Sequence, residues 1–226
     1  MRSSVEPPTA DRRFRAFVFD LDGTLVDSRP AIEKAAQIAI DRVASPYSGR
    51  RVTAAIGPPI RQMFATVLET DDTSLLDALV AAFRGVYDSD VCRETAAYPG
   101  VAEVLARIAA AGASSFVLTN KPIVPTRLIL ASLNLASQVR EIVTPDSVHQ
   151  PFISKTKALA ALLARHGLSS AHTVMVGDSA DDAAAAEACG IAFAAALYGY
   201  GSLSTEALAK NWLPLAEPTD MIRFVE

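Results

Sequence analysis

The segment Phe17-Val18-Phe19-Asp20-Leu21-Asp22-Gly23-Thr24-Leu25-Val26-Asp27-Ser28 runs from unbroken apolar chain straight into two carboxylates two positions apart. A continuous apolar run, rather than an alternating one, marks a strand covered on both faces, as a parallel sheet requires. Asp20 then falls where the strand leaves the sheet, the edge at which open α/β sheets bind ligands. Asp20 and Asp22 can face one small site from there. Gly23 lets the chain turn sharply, and Thr24 adds a hydroxyl and a backbone N–H, so the segment offers acceptors and donors suited to a phosphate.

Four further apolar segments read as strands: Ser115 to Thr119, Glu141 to Thr144, Thr173 to Gly177 and Ile191 to Leu197. Helical patterns separate them. Pro99 is placed at the first turn of a helix that Gly112 closes, Gly167 closes another begun near Lys155, and Gly190 closes the one after Asp182. Strands alternating with helices predict an α/β fold, a doubly wound parallel sheet with a Rossmann-like core. The alternation fails between the first and second strands. There Pro30 to Ala44, Pro59 to Leu68 and Ser74 to Asp88 carry apolar residues at spacings of three and four, which predicts an inserted all-helical module. The expected division is a core of residues 1–28 and 97–226 and a helical cap of residues 29–96, with hinges near Ser28 and Tyr98-Pro99.

Half the residues are apolar, a fifth are charged and the net charge is −4, the balance of a soluble globular enzyme. No basic block points to nucleic acid. Met1 to Arg13 is polar and contains proline, with no apolar run to make it a signal peptide or membrane anchor, so a cytoplasmic protein without a membrane partner is expected. Cys92 and Cys189 are far apart and lack metal-ligand spacing, so both are expected to stay reduced. His149, His166 and His172 do not group. No Ser-His-Asp order, Cys-His pair or Gly-x-Gly-x-x-Gly motif is present, which removes the usual hydrolase and dinucleotide-binding alternatives.

Three predicted strands end in polar residues, Asp20, Thr119 and Asp178, and a parallel sheet brings such ends to one edge. Magnesium takes hard oxygen ligands, commonly one or two carboxylates plus water and substrate phosphate, and Asp20 and Asp178 suit it. A phosphate dianion beside two acids also needs a cation, which a lysine supplies as a compact donor.

Asp20-Leu21-Asp22-Gly23-Thr24-Leu25 resembles the first motif of the haloacid dehalogenase-like phosphatases, and Val26-Asp27-Ser28-Arg29-Pro30 is similar to their phosphoglycolate phosphatase branch. Leu118-Thr119-Asn120-Lys121-Pro122 resembles the second motif, whose Thr hydrogen-bonds the transferring phosphoryl group. Lys121 itself is expected to be solvated. In the last motif, Gly177-Asp178-Ser179-Ala180-Asp181-Asp182, the resemblance adds Asp182 to the metal acids and leaves Asp181 solvated. The third motif departs from the usual Lys-Pro-x-Pro form. His149 to Lys157 instead resembles a variant in which Ser154-Lys155 opens the helix, with Lys155 twenty-three residues before Asp178. Lys155 is therefore expected to be the functional lysine rather than Lys157.

Over nearly the whole chain the resemblance implies a Mg2+-dependent phosphatase working through an aspartyl-phosphate. Asp20 would be the nucleophile and Asp22 the acid and base, with Thr119 and Lys155 also catalytic. Metal would be held by Asp20, Asp22, Asp178 and Asp182. Substrate would meet Gly23, Thr24 and Asn120, with Gly57 and Arg61 from the cap, where Ile56 to Ile60 looks like a substrate-facing loop. Leu197-Tyr198-Gly199-Tyr200-Gly201 resembles the turn that follows the last strand in this branch. The partner implied is a small phosphorylated metabolite, phosphoglycolate first, for a monomer or homodimer. A 5′-nucleotidase is a rival because of the Ser-Lys variant, and a sugar-phosphate mutase is disfavoured by Gly23-Thr24 followed by Asp27-Ser28. A receiver-type signalling domain lacks the helical insertion and the second acid, and a non-catalytic binding module would have lost one of these groups.

Overall fold

A computed structural model describes residues 13–52, 59–147, 154–201, 203 and 212–225. Six strands, β1 (Ala16–Phe19), β4 (Ser114–Leu118), β5 (Glu141–Val143), β6 (Thr173–Gly177), β7 (Ala192–Ala196) and β8 (Leu213–Leu215), form one sheet in the order β5-β4-β1-β6-β7-β8. Every pairing in it is parallel. The acid-terminated strand lies at its centre, with Phe19 opposite Val117 on one side and Val176 on the other. Phe17 and Val18 have no exposed surface, and burying a side chain of that size contributes roughly 1.5–3 kcal/mol.

Both faces of the sheet are covered, which is why its strands read as solid apolar runs. Val18, Phe116, Leu118 and Met175 pack with Leu159 and Leu162 of α6 (Lys155–His166) and Ala183 and Ala186 of α7 (Ala180–Ala188). On the other face Phe19 and Val176 line a small apolar cavity with Val101 and Val104 of α4 (Val101–Ala110) and Met221. The helices start and stop for local reasons. Ser154 caps α6 by accepting the Lys157 N–H at 3.2 Å, and Gly167 ends it in the left-handed conformation. Gly100, at φ 90°, is the cap of α4, so Pro99 lies before that helix rather than in its first turn. In α7 the helix already begins at Ala180, two residues ahead of Asp182.

The chain divides into two compact units, residues 1–26, 97–123 and 134–226, and residues 27–96 with 124–133. In the second unit α1 (Arg29–Val43) and α2 (Ile60–Leu68) both pack on α3 (Thr73–Tyr87). Alanines at 31, 35, 36 and 39 bring α1 close, while Leu76, Leu79, Phe83 and Tyr87 give α3 a stripe at helical spacing. Phe83 meets Phe64 edge-on and Tyr87 in a stack. Asp72 accepts the Ser74 and Leu75 N–H groups and fixes the start of α3.

Three features differ from the sequence reading. Helix α5 (Ile123–Ser132) falls largely in the second unit, although 97–226 was expected to be core. Its buried residues Pro125, Thr126, Ile129 and Leu130 share one helical face, but such a stripe carries no mark of which unit it packs in. Strand β8 escapes prediction because it is short and carries Pro214, which only an edge strand tolerates. The insertion also opens and closes on a two-stranded sheet of β2 (Val26–Asp27) and β3 (Ala96–Ala97), too short to leave a pattern. Among the described residues no helix is long and apolar enough to cross a membrane.

Candidate active site

Asp20, Thr119 and Asp178 follow directly on β1, β4 and β6, and all three side chains are buried. The ladder continues one step beyond the strands: the Asp20 N–H donates to the Val176 carbonyl at 2.9 Å and the Thr119 N–H to that of Val143 at 3.0 Å. After Asp20 the chain folds back at once, because the N–H groups of Thr24, Leu25 and Val26 all donate to the Leu21 carbonyl. Gly23 adopts φ 82°, and a Cβ there would lie 1.9 Å from Asp178 Oδ2, so this turn requires glycine for its conformation and its closeness alike. The Thr24 side chain is wholly buried and its hydroxyl makes no hydrogen bond, while its carbonyl accepts from the Tyr198 hydroxyl at 2.9 Å.

Carboxylate oxygens of Asp20, Asp178 and Asp182 lie within 4.8 Å of one another. Lys155, 4 % exposed at the start of α6, bridges two of these acids, donating to Asp20 Oδ1 at 2.7 Å and to Asp182 Oδ1 at 2.5 Å. Burial pushes the Asp20 carboxyl up to about 8 against the attraction of Lys155. Burial likewise lifts Asp178 to about 6, opposed by the hydrogen bond from the Gly201 N–H. Burial disfavours the charge on Lys155, but the attraction of Asp20 and Asp182 outweighs it and holds the ammonium above the usual lysine range. Three acids share one ammonium, so full ionisation leaves two negative charges uncompensated in a buried place. Oxygen donors in that charge state suit a hard divalent cation.

The roles within the acid set are unequal. Asp182 Oδ2 accepts the Ser179 N–H at 3.1 Å and the Ser179 hydroxyl at 2.6 Å, the reciprocal cap that starts α7, while Oδ1 faces Lys155. Its geometry suits a residue that orients Lys155 as much as one that meets a cation. Asp22 lies outside the three-acid cluster. Asp181 is exposed, and Asn120, also exposed, donates to it at 3.3 Å.

Lys121 corrects the sequence reading. It is buried rather than solvated, and its ammonium donates to both oxygens of Asp22 at 2.9 Å. The partners are 99 positions apart, and only the pairing of β1 with β4 brings them together. Thr119 supplies the turn that aims the side chain, its hydroxyl accepting the Lys121 N–H at 3.2 Å.

A second contribution that sequence reasoning missed is the backbone of the loop after β7. The Gly201 N–H donates to Asp178 Oδ2 at 2.7 Å, and a Cβ on Gly201 would sit 1.9 Å from the Asp178 carbonyl oxygen. A Cβ on Gly199 would sit 2.2 Å from the Gly23 carbonyl. The signal was present in the alternation Gly199-Tyr200-Gly201, two glycines where backbone must approach backbone. Arg61, on α2, pairs with Asp77 of α3 and reaches the Thr73 carbonyl at 3.5 Å. Gly57 and the neighbouring Ile56 and Pro58 lie outside the described residues.

Lys157 is exposed on α6 while Lys155 points among the acids, as expected for residues about 200° apart around a helix. Lys155→Ala should therefore lower kcat/KM by about 10² or more, since it removes a buried electrostatic donor. Lys157→Ala should leave it within about twofold, as a surface change does. Steady-state rates of the two variants on one phosphate ester check this, and a dead Lys157 variant would reverse the assignment.

The profile of the haloacid dehalogenase-like hydrolases matches residues 17–196, from β1 to the end of β7. The chain belongs to that family. A curated phosphoglycolate phosphatase of Rhodospirillum rubrum is 34 % identical over 197 residues, covering 82 % of this chain and 80 % of the relative. Phosphoglycolate phosphatase 1 of Pseudomonas aeruginosa is 32 % identical over 205 residues, covering 88 % and 75 %. Among solved structures, a haloacid dehalogenase-like family hydrolase from Streptococcus pneumoniae superimposes with a TM-score of 0.76 at 22 % identity, over 92 % of this chain and 97 % of the other. This last likeness concerns the fold, and the family's fold is the doubly wound sheet described above.

Proposed function

We propose that this phosphoric monoester hydrolase is Mg2+-dependent, acts on phosphoglycolate and forms an aspartyl-phosphate on Asp20. The observation that carries the mechanism is the difference between two acids in one turn. Asp20 is buried against Lys155 and two further acids, whereas Asp22 is partly open and held by Lys121. On this reading Asp20 would receive the phosphoryl group and Asp22, the more exposed of the two, would move protons. The substrate assignment is supported by the relatives of 34 % and 32 % identity, which are named for that activity.

Asp20 would attack phosphorus in line with the departing oxygen, and dividing the reaction into transfer to Asp20 and hydrolysis makes each step easier. Asp20, Asp178 and Asp182 would hold the cation, whose chemistry is to offset the repulsion between carboxylate and phosphate and to align the phosphoryl group. Lys155 and Thr119 would hold the equatorial phosphoryl oxygens, adding positive charge and a hydroxyl where negative charge accumulates. Asp22 would give its proton to the leaving oxygen, then take one from the water that cleaves the acyl phosphate.

Excess chelator should abolish turnover, and added Mg2+ should restore it. Asp178→Asn should weaken Mg2+ binding and be partly rescued by high Mg2+, a rescue that Asp20→Asn should not show. Full turnover without a divalent cation would end the mechanism. A panel of phosphoglycolate, nucleoside monophosphates and sugar phosphates, assayed for phosphate release with Mg2+, tests the substrate. Higher kcat/KM on nucleoside monophosphates would make the chain a 5′-nucleotidase, and phosphoryl transfer to a second hydroxyl without release would make it a mutase.

A further inference from the structure

We infer that Lys121 forms the leaving-group subsite and selects phosphate esters that carry a carboxylate next to the scissile oxygen. The inference rests on the phosphatase reading and deepens it. Lys121 is a lysine 8 % exposed, and both oxygens of Asp22 lie 2.9 Å from its ammonium. Asp22 is the group that must meet the leaving oxygen if it is to protonate it. A substituent two bonds from that oxygen therefore falls beside Asp22, in the space that the Lys121 ammonium commands. The carboxyl carbon of a glycolate leaving group is such a substituent. A hydroxyl or methyl there would bring no charge to the ammonium.

An ammonium spreads three N–H donors tetrahedrally and can bridge two carboxylates. The same site shows this arrangement at Lys155, which spans Asp20 and Asp182 at 2.7 and 2.5 Å. A carboxylate-bearing leaving group would make Lys121 a second bridge of that kind, between Asp22 and the substrate. Burial sharpens the preference, because a charge removed from water gains far more from an anionic neighbour than from a neutral one. Two cations thus divide the work: Lys155 serves the phosphoryl end and Lys121 the organic end.

The test measures inhibition of p-nitrophenyl phosphate hydrolysis by glycolate and, separately, by ethylene glycol, its neutral counterpart, in wild type and Lys121→Met with saturating Mg2+. Glycolate should inhibit wild type far better than ethylene glycol does. Lys121→Met should raise the glycolate inhibition constant about tenfold or more, the scale of one lost charge-assisted contact, and leave that of inorganic phosphate unaltered. Lys121→Arg should keep most of the glycolate inhibition. If Lys121→Met does not fold, Lys121→Gln makes the same comparison. An unchanged glycolate constant, a parallel rise for phosphate, or a wild type indifferent to glycolate would overturn the inference. Lys121-dependent glycolate inhibition in an enzyme that scarcely turns over phosphoglycolate would instead overturn the substrate assignment and leave the subsite standing.

Discussion

Asp20→Asn should lower phosphate release from any ester by about 10⁴ or more, the scale on which removing a covalent nucleophile acts. The amide has the shape of the carboxylate, so the β1 turn and the hydrogen bond from the Asp20 N–H to Val176 should survive. What is lost is the anionic oxygen, and with it both the attacking atom and one anchor of Lys155. Removing a negative charge from a crowded acid cluster also relieves burial, so thermal stability should be close to wild type. The check is a rate assay combined with mass spectrometry of acid-quenched protein. The variant should show no phosphate adduct under conditions where wild type, quenched during turnover, carries one. A residual rate within tenfold of wild type would require a different nucleophile.

What could be read from the chain beforehand was whatever a short stretch of it determines. The Asp20 to Thr24 turn, the ends of β4 and β6 and the Ser154-Lys155 start of α6 are each built from neighbouring residues, so pattern and capping rules reach them. Helix geometry lets only one of Lys155 and Lys157 face the strand ends, and the resemblance to the Ser-Lys variant singled out Lys155. Lys121 could not be judged in this way, because its burial depends on Asp22, 99 positions away, and nothing within Thr119-Asn120-Lys121-Pro122 separates a buried lysine from a solvated one. The Gly201 contact with Asp178 is likewise made by backbone from a distant loop. Asp182 was singled out as an acid, and its cap with Ser179 is local, but its contact with Lys155 appears only when α7 is set against α6.

The Lys121 contact bears on how the two acids of the first turn came to differ. Asp20 is surrounded by acids and relieved by one lysine, so it is suited to be masked by a cation and to accept phosphorus. Asp22, with a lysine on both oxygens and part of its surface open, is fixed in direction without being sealed from the leaving group or from water. In the proposed mechanism, two identical side chains in one turn would thereby take separate tasks through partners contributed by different strands and helices.

Those tasks occur at different steps, so replacing Asp22 should give results that depend on the leaving group. With phosphoglycolate, Asp22→Asn should reduce turnover by about 10²–10⁴, the range in which a positioned acid or base contributes. The departing alkoxide must be protonated, and an amide has no proton acidic enough to give. A nitrophenolate needs no such help, so p-nitrophenyl phosphate should still phosphorylate Asp20. The second step should then stall, because the amide cannot take a proton from the attacking water. Rapid mixing should show a burst of nitrophenol close to one equivalent of enzyme, followed by slow release. Mass spectrometry of the acid-quenched variant should find phosphate retained on the peptide containing Asp20. Lys121 would keep one amide oxygen as acceptor and the three N–H groups on the Leu21 carbonyl are untouched, so the turn should hold its shape and the stall would report lost proton transfer rather than a displaced loop. Steady turnover of both esters at the wild-type rate would show that Asp22 moves no proton in either step.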